Sequence, residues 1–335
     1  MTLQTADISV VIPSFDRKRL ALETVQSVLA QSVAVREIIV VANGSEDHAA
    51  FWNAHSSDRV RVVRIAPIGK QAARNAGIRA ARGAWVATLD DDDLYLPEFI
   101  ASVVPAIEDG RADLISTDHR KFSPERDDRL TNFETAPARY WSGIRPADPS
   151  VPWSLVGKFP LPLLLKRVPA YPSTSVIRRD FALAIGGYNP AMNGILSEDL
   201  EFLIRALSQG QLALVWQPLV RYRKHAGNDT SSKLGRAIGR WRIFEFAREC
   251  HSILPDDFRA ALDRDLPARR RKIFRIAYDT GDQALMDEVW DKLRRSHRTP
   301  AVWLRRLSAK FRALESGKTM LRARPDRLQP EVECA

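Results

Sequence analysis

The chain has 335 residues, 45% hydrophobic and 27% charged, with a net charge of +10. That length and apolar content suit one large or two modest globular domains with a sizeable core. No apolar run approaches the ~18 residues of a membrane span. Cys250 and Cys334 are far apart and lack metal-ligand spacing, which argues against a disulfide framework or a cysteine metal site. Residues 1–7 lack the basic and apolar regions of a signal peptide, so reduced thiols and a cytoplasmic location are expected. The charge is uneven. Residues 1–232 hold 27 Lys+Arg against 26 Asp+Glu, and residues 233–335 hold 24 against 15.

In chain order, Ile8 to Ile12 is an apolar strand, followed by the turn Pro13-Ser14-Phe15-Asp16-Arg17. Apolar spacing at Leu20, Val25, Val28 and Leu29 predicts a helix over 18–32. Glu37 to Val41 is a second strand, ending at Ala42-Asn43-Gly44-Ser45, and Arg59 to Ile65 is a third. A helix over about Lys70 to Arg82 leads to the apolar run Ala84 to Leu89, which stops at four consecutive carboxylates, Asp90 to Asp93. A helix-like segment opened by Pro97 follows, and Leu114 to Ser116 reads as a further strand. Alternating strands and helices predict a parallel sheet covered on both faces.

Residues 119–170 are rich in charge, proline and aromatics, including Tyr140, Trp141, Trp153 and Phe159. Little regular structure is expected there, and such an insertion reads as a binding loop or lid. Structure resumes at Ser173 to Ile177, a short helix, Gly186-Gly187-Tyr188, a helix over Leu200 to Leu207 and an extended stretch over Leu212 to Trp216. From Lys233 onward the pattern is helical and arginine-rich. Trp241, Phe244, Phe246, Ile273, Trp290, Trp303 and Leu307 are its expected buried anchors.

The acid run carries the chemistry. It sits at the carboxyl end of a strand, where open sheets place ligand crevices. Adjacent carboxylates repel one another unless solvated or neutralised. Oxygen-only ligands suit Mg²⁺ or Mn²⁺. The plain alternative is a solvated acidic turn or a helix cap.

Seven segments stand in one order: Val10 to Arg17, Ile39 to Ser45, Ala73-Arg74-Asn75-Ala76-Gly77, Leu89 to Asp93, Gly186-Gly187-Tyr188, Ser197-Glu198-Asp199 and Tyr222-Arg223-Lys224-His225. Together they resemble family 2 of the inverting, nucleotide-sugar-dependent glycosyltransferases over roughly residues 7–232. The resemblance implies a GT-A fold, an α/β Rossmann-like nucleotide-binding sheet with helices on both faces, as a catalytic domain over residues 1–232. A basic helical region follows over residues 233–335. It implies metal-dependent transfer, with Mn²⁺ or Mg²⁺, from a nucleoside-diphosphate sugar to an acceptor hydroxyl. A UDP-sugar is the default donor, and cell-surface polysaccharide or glycoconjugate synthesis is the expected setting.

Carried onto this sequence, the resemblance sets Asp90 against the ribose and Asp92 on the metal with His225 nearby. Asp91-x-Asp93 fits the same spacing. Pro13 and Asp16 match the first nucleotide-contacting turn. Arg74 matches the element bordering the nucleotide, the plain alternative being a surface helix arginine. The family often has Asp-Asp-Gly-Ser where Ala42-Asn43-Gly44-Ser45 stands, so Asn43 takes a nucleotide-side position without those acids. Asp199 matches the catalytic base and Glu198 its acceptor-side neighbour, although both also suit a helix start. Trp153 and Trp141 are expected to border the acceptor, because aromatic faces suit sugar rings. The acceptor is expected to be a glycan or a lipid-linked sugar. The basic tail, with Arg269-Arg270-Arg271-Lys272, is expected to touch an anionic inner-membrane surface. It carries no nucleic-acid motif, so no nucleic-acid partner is expected. No Gly-x-Gly-x-x-Gly follows Ile8 to Ile12, which argues against a dinucleotide oxidoreductase. The rival reading is a catalytically inactive nucleotide-sugar-binding or scaffold protein of the same fold.

Overall fold

The structure, a computed structural model, describes residues 5–148, 150–225, 232–293, 298 and 300–315, the last six by backbone alone. Cys334 lies outside them. The chain divides into two units, residues 1–231 and 232–335.

The first unit is built on a sheet. Strands β1 (Thr5–Ser14), β2 (Ala34–Ala42), β3 (Val60–Arg64) and β4 (Trp85–Thr88) pair in parallel in the order β3-β2-β1-β4. Ile8, Val10 and Ile12 are buried, and so are Val11, Ile39 and Val41 between them in register. Burial of successive residues means that both faces of these strands are covered. Helices α1 (Lys18–Leu29), α2 (Glu46–Ala54) and α3 (Lys70–Ala80) make the connections. The sequence reading missed α2, which has a polar start capped by the Ser45 hydroxyl accepting from His48 N–H at 3.3 Å.

The rest of the sheet is mixed rather than parallel. It contains β5 (Leu94–Tyr95), β6 (Leu114–Phe122), β7 (Trp153–Gly157), β8 (Ser175–Arg178) and β9 (Leu212–Arg223). Helix α4 (Phe99–Glu108) follows β5, and α5 (Arg179–Ala184) and α6 (Asp199–Gln209) follow β8. Strand β8 lies between β4 and β6 and is antiparallel to both. The long excursion before β8 brings the chain back without a crossover helix, so no rule fixes it parallel. Strand β6 pairs with β9 in parallel. The carboxyl ends of β1, β4, β6 and β9 therefore share one edge of the sheet.

The insertion is more ordered than expected, and its aromatics pack inward. Trp141 is buried against Phe133 and Trp216, and its Nε1 donates to Phe133 O at 3.1 Å. Trp153 begins β7, pairs with Val215 near the start of β9, and packs half-buried on the main core. That is the end of β9 remote from the shared carboxyl edge. Trp153 and Trp141, expected to border an acceptor, both make packing contacts here.

The second unit is helical: α7 (Lys233–Cys250), α8 (Asp256–Thr280), α9 (Gln283–Lys292) and α10 (Pro300–Glu315). Trp241, Phe244, Ile273 and Trp290 are buried. Phe246 is half-buried. Trp303 and Leu307 are exposed, at 49% and 42%, because α10 turns Val302 inward instead. The basic run is also divided. Arg269 pairs with Asp265, and Arg270 pairs with the buried Glu245 at 2.6 and 2.7 Å, so neither offers free charge.

Gly77 lets α3 lie directly on β1, since a Cβ there would run into the Val11 side chain. Gly77→Ala should destabilise the protein by about 1–3 kcal/mol through overpacking. Denaturant unfolding checks this, and an unchanged midpoint would mean that α3 can shift away.

Candidate active site

The site forms at the carboxyl edge of the sheet, where three loops meet. The first is the turn after β1. Pro13 is buried in β1 opposite Val41. Asp16 adopts a left-handed φ of 52°, and its Oδ1 accepts from Ser45 N at 3.0 Å and Ser45 Oγ at 2.7 Å. Those donors hold the Asp16 carboxyl below its ordinary range. A Cβ at Gly44 would lie 2.5 Å from Asp16 Oδ1, which explains the glycine. Asn43 is buried beside this junction. Its N–H reaches Ser14 O at 3.0 Å, and its Oδ1 has no hydrogen-bond partner among the described residues.

The second loop is the acid run, where each carboxylate has its own partners. Asp90 Oδ1 accepts from Arg74 Nη2 at 2.7 Å. Asp91 meets Arg17 Nη2 at 2.5 Å and Phe15 N at 3.3 Å. Asp92 Oδ2 meets Arg17 Nη1 at 2.7 Å and His225 Nε2 at 3.0 Å. Asp93 accepts from Ser173 Oγ at 2.6 Å and Arg223 N at 2.9 Å. The side chains of Asp90 and Asp92 are 20% and 10% exposed, whereas Asp91 and Asp93 are each 1% exposed as residues. Solvent therefore reaches the alternate pair Asp90 and Asp92. Burial, only partly offset by Arg17, pushes Asp91 up to about 7. Burial and the neighbouring acids raise Asp93 as well.

Carboxylate oxygens of Asp90, Asp92 and Asp93 lie within 4.8 Å of one another. Three hard oxygen donors this close fit a small divalent cation such as Mg²⁺ or Mn²⁺. The end of β9 is strapped to the same loop. Arg223 Nε donates to Asp92 O at 2.8 Å, which brings His225 onto Asp92.

The third loop carries Glu198 and Asp199. Asp199 is the first residue of α6, and Ser197 before it has a left-handed φ of 68°. A non-glycine residue there costs roughly 1–3 kcal/mol, the kind of strain that clusters at functional sites. Burial and the adjacent Glu198 push Asp199 up to about 7, against the pull of Arg74. Arg74 joins the second and third loops. It is 1% exposed, reaches Asp90 at 2.7 Å and Glu198 at 3.5 Å, and lies over the Tyr188 ring at 5.2 Å. It is a buried clamp rather than a surface arginine. Asn75 pins the glycine loop below it, with its amide exchanging two 2.7 Å bonds with the Tyr188 backbone. Gly187 has a φ of 66°, and a Cβ there would lie 2.5 Å from Asn75 Oδ1.

The structure thus brings Asp90, Asp92 and His225 together and connects Asp90 to Glu198 through Arg74. Pro13, Asp16 and Asn43 lie at the neighbouring β1 and β2 ends, and Trp153 lies elsewhere. The sequence reading gave no site role to Arg17, Arg223, Ser173 or Tyr188. Arg17, Tyr188 and Arg223 lay within the ordered segments, and their chemistry was the only available signal.

Residues 9–153 match the family model described as glycosyl transferase family 2. An uncharacterized glycosyltransferase of Haemophilus influenzae is 25% identical over 202 residues, 60% of this chain and 62% of its own. The succinoglycan biosynthesis protein ExoO of Rhizobium meliloti is 34% identical over 100 residues, 29% of each chain. The chain spans 20%, 62% and 36% of the length of the glycosyltransferases it matches in Rickettsia felis, Haemophilus influenzae and Bacillus subtilis. Among solved structures, residues 1–349 of TarS from S. aureus, in complex with UDP-GlcNAc, superpose with a TM-score of 0.57 at 14% identity. That match covers 90% of this chain and 79% of the other, and it establishes likeness of fold.

Arg74→Met should cost about 3 kcal/mol, because it removes the buried guanidinium that neutralises two partly buried acids. The sign of the pH effect follows from Asp90. Burial pushes its carboxyl up, but Arg74, Lys70 and Arg17 more than reverse this and hold it well below its ordinary 3.8. A depressed carboxyl contributes stability above its unfolded value and loses it as pH falls through the folded value. Wild type should therefore lose this contribution below pH 3.8, and the gap to Arg74→Met should narrow there. Unfolding curves from pH 7 to 2 check this, and a constant gap would contradict it.

Proposed function

We propose that this chain, whose residues 9–153 match the glycosyl transferase family 2 model and whose fold is like that of TarS, transfers a sugar from a nucleoside-diphosphate sugar to an acceptor hydroxyl with inversion. The supporting observation is the buried Arg74, which connects donor-side Asp90 to Glu198, the neighbour of Asp199. Pro13, Asp16 and Asn43 face the nucleotide in this reading, with Asp90 toward the ribose. Asp92 and His225 would hold a divalent cation, Mn²⁺ or Mg²⁺, which would neutralise charge on the leaving diphosphate. Asp199 takes the proton of the attacking hydroxyl, and Glu198 positions that acceptor. A base that titrates near neutral pH matches this task. UDP is the proposed nucleotide, in keeping with the UDP-GlcNAc bound by TarS. A glycan or lipid-linked acceptor in polysaccharide synthesis fits the likeness to ExoO.

The helical unit extends the proposal to an anionic membrane surface. Arg264, Arg271, Lys272 and Arg275 are exposed at the spacing of one face of α8, and none has an acid partner among the described residues. No described helix is long and apolar enough to cross a membrane. Peripheral contact through this face is the reading that its charge supports.

Asp199→Asn should lower kcat by at least ~100-fold, the usual worth of a positioned base, with donor binding retained. Because Asp199 acts when deprotonated, kcat/KM should rise with pH to a plateau above about 7. Glu198→Gln removes a like charge and should move that limb to lower pH. A pH-independent profile would reassign the base. Wild type should co-sediment with anionic vesicles at low salt and be released at high salt. A variant with Gln at all four α8 positions should stay in the supernatant, and equal binding by both proteins would withdraw the membrane face.

A further inference from the structure

Arg17 stands in the turn after β1, just past the left-handed Asp16, and immediately precedes α1. Its side chain makes no helix-capping bond and instead spans two acids. Nη2 meets Asp91 Oδ1 at 2.5 Å, and Nη1 meets Asp92 Oδ2 at 2.7 Å. The same Asp92 Oδ2 also takes His225 Nε2 at 3.0 Å. A carboxylate oxygen offers about two lone-pair sites, so both sites on this oxygen are engaged. A divalent cation binding Oδ2 at roughly 2.0–2.2 Å must displace one of the two donors. A guanidinium keeps its charge at any working pH and is repelled by the incoming cation, whereas imidazole can be neutral. Arg17 also has room to swing off Asp92. Its side chain is 31% exposed, against 1% for Arg74.

We propose that Arg17 is a resident cation of the acid run, which competes with a divalent cation for Asp92 while keeping its hold on Asp91. This rests on the reading of Asp92 as a metal ligand. Arg17 is then a positioning residue: it keeps neighbouring carboxylates compatible and sets how readily the metal enters.

The test titrates Mn²⁺ into the full chain without nucleotide, following free Mn²⁺ by electron paramagnetic resonance, with melting curves in parallel. Wild type, Arg17→Gln, Arg17→Lys and Asp92→Asn are compared. Arg17→Gln should bind Mn²⁺ about three- to tenfold more tightly, the scale of one partly exposed charged contact. It should melt lower than wild type in chelator and gain more from Mn²⁺. Arg17→Lys, which keeps a point charge but not the two-pronged span, should fall between them, and it carries the test if the glutamine variant does not fold. Unchanged Mn²⁺ affinity in Arg17→Gln would show that the metal uses another oxygen and would overturn the competition. Weaker affinity would show that Arg17 arranges the acids for the metal, which also overturns it. If Mn²⁺ binds wild type and is lost in Asp92→Asn, the metal-ligand reading stands whatever Arg17 does. If Mn²⁺ binds neither wild type nor Arg17→Gln, that reading and the competition fail together.

Discussion

Four carboxylates in a row at the end of one buried strand repel one another, and the first unit is arranged around relieving that repulsion. Arg74 comes from α3 to Asp90, and Arg17 comes from the β1 turn to Asp91 and Asp92. Ser173, from the segment before β8, and the backbone of Arg223, at the end of β9, close on Asp93. Helix α3, the turn after β1, the segment before β8 and the end of β9 are thereby bound to one loop. The loop would lose its shape without these donors, and several of the donors would be buried without partners if the loop were neutral.

The same constraint couples the two halves of the site. Arg74 cannot reach solvent and meets acids on both sides, so a displacement of Asp90 is felt at Glu198. Tyr188 and Asn75 fix the platform beneath it. The raised Asp199 carboxyl is a consequence of where α6 starts: a crowded helix end, next to another acid, with the nearest guanidinium shared. Rigid elements therefore hold the proposed base, rather than a loose loop.

Much of this was legible in the sequence, because the decisive signals are local. An apolar strand running into acids, a Gly-Gly-Tyr loop and a Glu-Asp step before an amphipathic helix can each be read in a few residues. What was not legible depends on distant partners. Arg17 lies 75 residues before Asp92, and Arg223 lies 130 residues after Asp93. No spacing rule connects such pairs. Antiparallel β8 was hidden because strand direction is set by how the insertion returns. Trp153 is a related case: an aromatic in a proline-rich stretch suits a binding loop and a packed strand equally, and its pairing with Val215 depends on a distant partner.

The most direct test of a carboxylate base acting opposite the departing diphosphate is the stereochemistry of the bond that forms. A sugar nucleotide of defined anomeric configuration would be turned over with a soluble acceptor, and the product's anomeric proton followed by NMR before any equilibration. Inversion at that carbon is expected if Asp199 activates the acceptor for a single displacement. Retention would require a different arrangement of groups at the reacting carbon and would contradict the assignment of Asp199.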